Sequence, residues 1–272
     1  MKYFLTLLAI LSLVGGFLVA SVDQVWGWLL VGFGVAVFGY SRRGSLYLLA
    51  ANLSYGKKGL DGAIVWFRRA YRSNTLPFKG NINYAYLLIK AFQYKEAAEV
   101  LIKLMNKAGQ SIGKEGNLFL ARTWYTLVLW KTEKGSEAID MLVEVKNRGY
   151  KTSALYGSLG AFLIESERLN EAQILNQEAL EFAPDDLVIL DNHGLCQMKL
   201  EKWDDARSIY EKLMDLKPRF PEAWYNYAKV LKHFGDSEGA IKALEQALSC
   251  NFSGLNLIQA PMVHELKDSW NK

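Results

Sequence analysis

Hydrophobic and polar positions divide the chain into two regimes. From Tyr3 to Val22 no residue is charged. Asp23 and Gln24 interrupt the run, and a second uncharged stretch continues from Val25 to Tyr40 before Arg42 and Arg43 close it. A helix rises about 1.5 Å per residue, so the first run reaches about 30 Å, the thickness of a hydrocarbon core. The pattern predicts two membrane spans, about 3–22 and 25–41, folded as a hairpin within residues 1–43. Trp26, Trp28 and Tyr40 suit the interfaces, where amphipathic rings are favoured. Gly15, Gly16, Gly27, Gly32, Gly34 and Gly39 either let the two helices pack closely or reflect the glycine frequency of membrane helices.

From residue 44 the signal is a period. Ala63, Ala97, Ala138, Ala172, Ala206 and Ala240 are spaced by 34, 41, 34, 34 and 34 residues. Twelve residues before each sits a small one: Ala51, Ala85, Thr126, Gly160, Gly194 and Ala228. Four after each comes Phe67, Leu101, Leu142, Asn176, Tyr210 or Leu244, and seven after each comes Ala70, Leu104, Val145, Ala179, Leu213 or Ala247. Such columns fit antiparallel helix pairs. Small residues let two backbones cross closely, a large one fills the space beside the crossing, and proline (Pro184, Pro218) ends a unit. One pair cannot bury its apolar face alone, so neighbours must stack. Asn176 breaks the large-apolar column and predicts locally looser packing.

These residues resemble the tetratricopeptide repeat (TPR) family, most clearly in Pro221-Glu-Ala-Trp-Tyr-Asn-Tyr-Ala228 with Ala240, Leu244 and Ala247, and in Ser153-Ala-Leu-Tyr-Gly-Ser-Leu-Gly160 with Ala172, Ala179 and Pro184. The expectation is an all-α protein: a transmembrane helical hairpin followed by a TPR α-solenoid over 44–254. Its six pairs are 44–77, 78–111, 119–152, 153–186, 187–220 and 221–254. The insertion 112–118 reads as a loop beside Gly109, Gly113 and Gly116. Residues 255–272 form either a capping helix, with Pro261 to Trp270 helical, or a tail.

Charge sharpens the topology. The net charge is +4, with a positive excess in 44–118 and a negative excess in 153–272. Lys2 at one end of the hairpin, and Arg42, Arg43, Lys57 and Lys58 after the other, place both ends and the repeats in the cytoplasm by the positive-inside rule. A bacterial cell membrane is the expected setting. A cleavable secretory leader is the rival reading. Against it, the basic region is Lys2 alone, the apolar stretch is long for a leader, and no clean small-x-small site precedes Asp23, the best one, ending at Ala20, having Leu18 two positions earlier. The basic stretch suits anionic headgroups of the bilayer better than nucleic acid, because it adjoins the apolar segment.

Candidate chemistry is sparse. Cys196 and Cys250 have no metal or redox spacing. Gly109-Gln-Ser-Ile-Gly-Lys-Glu115 is one residue short of a phosphate loop and lacks its hydroxyl. His193, His233 and His264 lie in separate segments without ligand spacing. Glu133 with Glu137, and Asp185 with Asp186, read as solvated faces or helix starts. No enzyme activity, metal or cofactor is expected.

The resemblance implies a groove lined by the first helix of each pair. Its columns select Ile82, Tyr86 and Ile89, then Thr123, Leu127 and Trp130, then Asp191, Leu195 and Met198, then Tyr225, Lys229 and Lys232. These side chains either anchor a partner or pack between repeats. The family's carboxylate clamp is not expected: Asn52 and Asn83 match it, but Leu48, Leu120 and Trp124 stand where its cations would be. The expected function is a membrane-anchored scaffold or adaptor that binds another protein. The alternative is structural self-assembly into a homo-oligomer.

Overall fold

A computed structural model describes residues 2–109 and 115–270. Among the described residues there are fourteen helices and no strand, so the chain is all-α. It divides into two compact units, Met1–Tyr84 and Ala85–Lys272.

The first unit begins with α1 (Lys2–Ala20) and α2 (Gln24–Ser41). The Asp23 carboxylate accepts the Val25 and Trp26 N–H groups at 3.0 and 3.2 Å, which satisfies the open end of α2 and fixes the turn. The expected glycines divide evenly. Gly16, Gly27 and Gly34 lie in the seam, where an added Cβ would strike Val31, Ala20 or Leu13. Gly15, Gly32 and Gly39 have nothing within 4 Å of such a Cβ. Large apolar side chains are exposed on the outside of the hairpin: Phe4, Leu7, Leu11 and Leu18 on α1, and Trp26, Leu29, Phe33 and Phe38 on α2, while the exposed rings of Phe17 and Trp28 meet edge-on between the two helices at 6.1 Å.

Next comes α3 (Arg43–Arg72), which Gly59 breaks with φ 63° and ψ −150°, a conformation open essentially to glycine alone. Residues 43–58 and 60–72 therefore form the two arms of one helix pair. Tyr84, at the unit's end, is fully buried, with its ring 6.2 Å from Phe67 and 5.6 Å from Tyr71.

In the second unit the pairs are α4 (Phe78–Lys90, which begins in the first unit) with α5 (Tyr94–Gly109), α6 (Glu115–Lys131) with α7 (Gly135–Asn147), α8 (Ser153–Glu165) with α9 (Leu169–Phe182), α10 (Leu187–Lys199) with α11 (Trp203–Asp215), and α12 (Pro221–His233) with α13 (Ser237–Ser249). Each first helix ends the same way. Phe92, Glu133, Glu167, Glu201 and Gly235 all have positive φ. The next N–H reaches back five residues in every case, as from Gln93 to Leu88 O or Lys202 to Gln197 O. This doubly bonded left-handed cap closes the helix and reverses the chain within three residues.

The periodic columns are the core. All six alanines, their small partners and the residues four and seven later are buried. Two expectations differ from the structure. Asn176 does not loosen its site: it is buried, and its amide donates to Asn192 O (3.3 Å), while the Asn192 amide donates to Gly157 O (2.8 Å). A single amide hydrogen bond stands where the apolar filler would be, and the Asn176 Oδ1 is buried without a hydrogen-bond partner. Of the expected loop 112–118, residues 115–118 instead open α6, which extends its pair's first helix by one turn; residues 112–114 lie outside the described residues. The last described helix is α14 (Ala260–Trp270), packed on α13 through Val263 and Leu266.

Candidate partner-binding groove

The first helices of the pairs carry the expected groove residues, and packing divides these into two groups. Ile82, Ile89, Thr123, Asp191 and Met198 are buried. Thr123 donates to Phe119 O at 2.9 Å, within its own helix. Tyr86, Leu127, Trp130, Leu195, Tyr225, Lys229 and Lys232 are half-buried. The Tyr86 ring meets Trp124 edge-on at 5.3 Å, and Trp130 stacks on Phe162 at 4.2 Å. The Lys229 ammonium lies 4.1 Å from the Tyr225 ring centre. Lys232 reaches Trp270 of α14 at 5.5 Å and donates to Ser237 Oγ at 3.2 Å. A helix shared between two neighbours has little free surface, so a column assigned to the groove includes side chains that serve the stack.

The face formed by the first helices already holds a chain. Residues 250–259, between α13 and α14, cross it as a strap. Gly254 N–H donates to Lys90 O at 3.1 Å, and Gly254 O accepts from Tyr94 Oη at 3.1 Å. A Cβ on Gly254 would collide with Ile89 O, so a side chain there is excluded. The next peptide group but one is held at both ends. Lys131 Nζ donates to Asn256 O at 2.5 Å, and the Leu257 N–H donates to Glu222 Oε1 at 2.7 Å. The Asn256 amide adds a bond to Glu222 Oε2 at 2.9 Å. Leu257 packs against the cluster that contains Leu129 and Phe162. The strap is shaped by its own turn, in which the Ser253 N–H and hydroxyl both reach Asn256 Oδ1, at 2.9 and 3.0 Å.

Cation and carboxylate are matched to the peptide dipole: a positive group on the carbonyl and a negative one on the N–H. Bonds of this charge-assisted kind contribute about 1.5–3 kcal/mol each. Burial lowers the Lys131 pKa below its ordinary value, and the Glu222 charge opposes that shift. Deeper in, Asp191 Oδ1 accepts from Tyr210 Oη (2.8 Å) and the Asn226 amide (3.1 Å), joining α10, α11 and α12. Burial raises the Asp191 pKa to about 7 despite those two donors. Burial also lowers Lys229, while Glu165 pulls it back up.

The sequence pointed to neither Lys131, Glu222 and Tyr94 nor the strap. The visible signal was Gly254 followed by Leu255, Leu257 and Ile258, an apolar stretch without helical spacing after the last repeat. Among the described residues no group of three His, Cys, Asp or Glu side chains could hold a metal ion. His233 stacks on Trp203 at 3.8 Å, and the phosphate-loop-like segment lies mostly outside the described residues.

Residues 197–253 match the tetratricopeptide repeat family model. A tetratricopeptide repeat-containing protein of Caenorhabditis elegans, trd-1, is 29% identical over 107 residues, which is 39% of this chain and 14% of that protein's length. Among solved structures, a tetratricopeptide repeat protein from Parabacteroides merdae superimposes with a TM-score of 0.68 at 12% identity, covering 97% of this chain and 99% of the other. PilF of Pseudomonas aeruginosa gives 0.55 at 16% identity, over 76% and 91%. The fold is thus the TPR solenoid, and TPR proteins generally mediate interactions between proteins.

Proposed function

We propose that this protein is a membrane-anchored adaptor whose helix pairs offer their inner face to a partner protein, without catalysis. The observation that carries the reading is the strap itself: the first helices grip a turn of chain through its main-chain groups, and a partner's segment presents the same groups. The half-buried residues Tyr86, Leu127, Leu195 and Tyr225 are the proposed flanking contacts.

The anchor rests on the hairpin. Residues Gln24–Ser41 form a helix long and apolar enough to cross a membrane, and Phe4–Ala20 is a shorter apolar helix. Both turn large apolar side chains outward and small ones inward. In water that arrangement exposes what the hydrophobic effect should bury; in lipid it is the stable one. At the end of α2, the Arg43 guanidinium lies 3.9 Å from the Tyr40 ring centre and donates to Tyr40 O at 2.8 Å, a placement suited to the headgroup layer. The proposed setting is a bacterial cell membrane, with both ends and the repeats in the cytoplasm.

Alkaline extraction of membranes, combined with photo-crosslinking from Tyr86 and Tyr225, tests the proposal. The full chain should stay in the pellet, a chain without residues 1–43 should not, and both positions should give one shared adduct absent from a Lys202 control. A soluble full chain refutes the anchor. Adducts only between copies, with concentration-dependent sedimentation, refute the adaptor in favour of self-assembly.

A further inference from the structure

We propose that the site formed by Lys131, Glu222, Tyr94 and the C-terminal carbonyls of α4 is a peptide-recognition site that the strap occupies in place of a partner. Its ligand is a segment of another protein that makes a tight turn at a glycine, with an asparagine two residues later and an apolar residue next. This rests on reading the inner face as the partner site and names what that face reads.

Each element of the pattern has a cause. Glycine is required because its Cα packs on Ile89 O with no room for a Cβ. Asparagine at the second following position supplies the amide that fills Glu222 Oε2. Its carbonyl and the following N–H are the two ends of one peptide group, clamped between Lys131 on α6 and Glu222 on α12. The apolar residue reaches the cluster around Leu129 and Phe162. The remaining hydrogen bonds are to main chain (Lys90 O to Gly254 N–H, Tyr94 Oη to Gly254 O), which is common to any partner, while Phe252 and Ile258 on either side of the turn pack in the core of the last pair and stay there.

The strap also has the connection that a displaceable occupant needs. It joins α13 to α14, and α14 keeps its own seat on α13 through Val263, Leu266 and the Lys267–Glu245 ion pair at 2.8 Å. Residues 253–257 can therefore leave the site while the final pair stays capped. An occupied site lowers apparent affinity by the fraction of time that it is closed.

The test uses the full chain in detergent and a fluorescent synthetic peptide spanning residues 251–259. Gly254→Val should expel the strap, and the peptide should then bind about tenfold or more tightly than to the unsubstituted chain. Adding Glu222→Ala or Lys131→Ala to Gly254→Val should remove that gain. A folded Gly254→Val chain that binds no better than the unsubstituted one overturns the proposal. Should Gly254→Val fail to fold, amide exchange in the unsubstituted chain decides. Exchange of residues 254–258 well ahead of the α12 and α13 core supports a displaceable strap; exchange only with global unfolding overturns it. Exchange of straps between two copies, seen as a dimer, also overturns it. Failure here leaves the crosslinking test from Tyr86 and Tyr225 standing, so the two readings fail separately.

Discussion

Gly194 on α10 faces the ring of Tyr210 on α11 so closely that a Cβ on the glycine would lie 2.6 Å from the ring's Cε2. The ring cannot withdraw, because its hydroxyl donates to Asp191 one turn earlier on α10 at 2.8 Å. Two effects compete in Gly194→Ala. Helix propensity favours alanine by about 1 kcal/mol, whereas forcing an atom into a packed core costs about 1–3 kcal/mol. The fixed ring makes the second the larger. Thermal or urea denaturation should show Gly194→Ala destabilised; a stabilised variant would mean that the ring yields.

Asp191 gives the protein a pH dependence of definite sign. Its folded pKa, about 7 because of burial, lies above the ordinary 3.8. Between about pH 4 and pH 7 the folded state holds a proton that the unfolded state has lost, so stability falls as pH rises through that window. Asp191→Asn keeps an oxygen for Tyr210 and Asn226 but has no proton to lose. It should match the parent near pH 4 and exceed its stability at pH 8 by roughly 2–4 kcal/mol. Parallel pH–stability curves for the two chains would disprove the assignment.

Glu201 occupies the left-handed cap between α10 and α11 with φ 59°. A side chain there costs about 1 kcal/mol relative to glycine. Glu201→Gly should therefore raise stability by up to about 1 kcal/mol despite the greater entropy of its unfolded chain. Gly235→Ala, at the same place in the last pair, should lower it by a similar amount. Melting curves of the two variants should move in opposite directions.

Removing Glu222 should loosen one segment rather than the whole. Glu222→Ala deletes the acceptor of the Leu257 N–H and the Asn256 amide. Two charge-assisted bonds amount to a few kcal/mol, so exchange of the 254–258 amides should accelerate about 10²-fold or more while the α8–α11 core is unchanged. Uniform acceleration across the core would mean that the strap is part of the global fold.

The helix class and the buried columns of small residues were legible in the sequence because each depends on local spacing. A 34-residue recurrence of alanine, with small residues twelve positions earlier, follows from helix geometry and nearest-neighbour stacking alone. Even the exception, Asn176, was visible as an exception. What it does was not visible, since its partner Asn192 belongs to the next pair.

The candidate site was decided by tertiary structure. Ile89 and Tyr86 sit three residues apart on one helix, and only the neighbouring pair determines that the first is enclosed and the second half-open. Lys131 and Glu222 are distant in sequence and meet on one peptide group of the strap. Spacing along a chain encodes contacts made once per helical turn or once per repeat. A contact that crosses the inner face depends on how the repeats accumulate their curvature, and that sum of small packing angles has no signature in any single residue or interval.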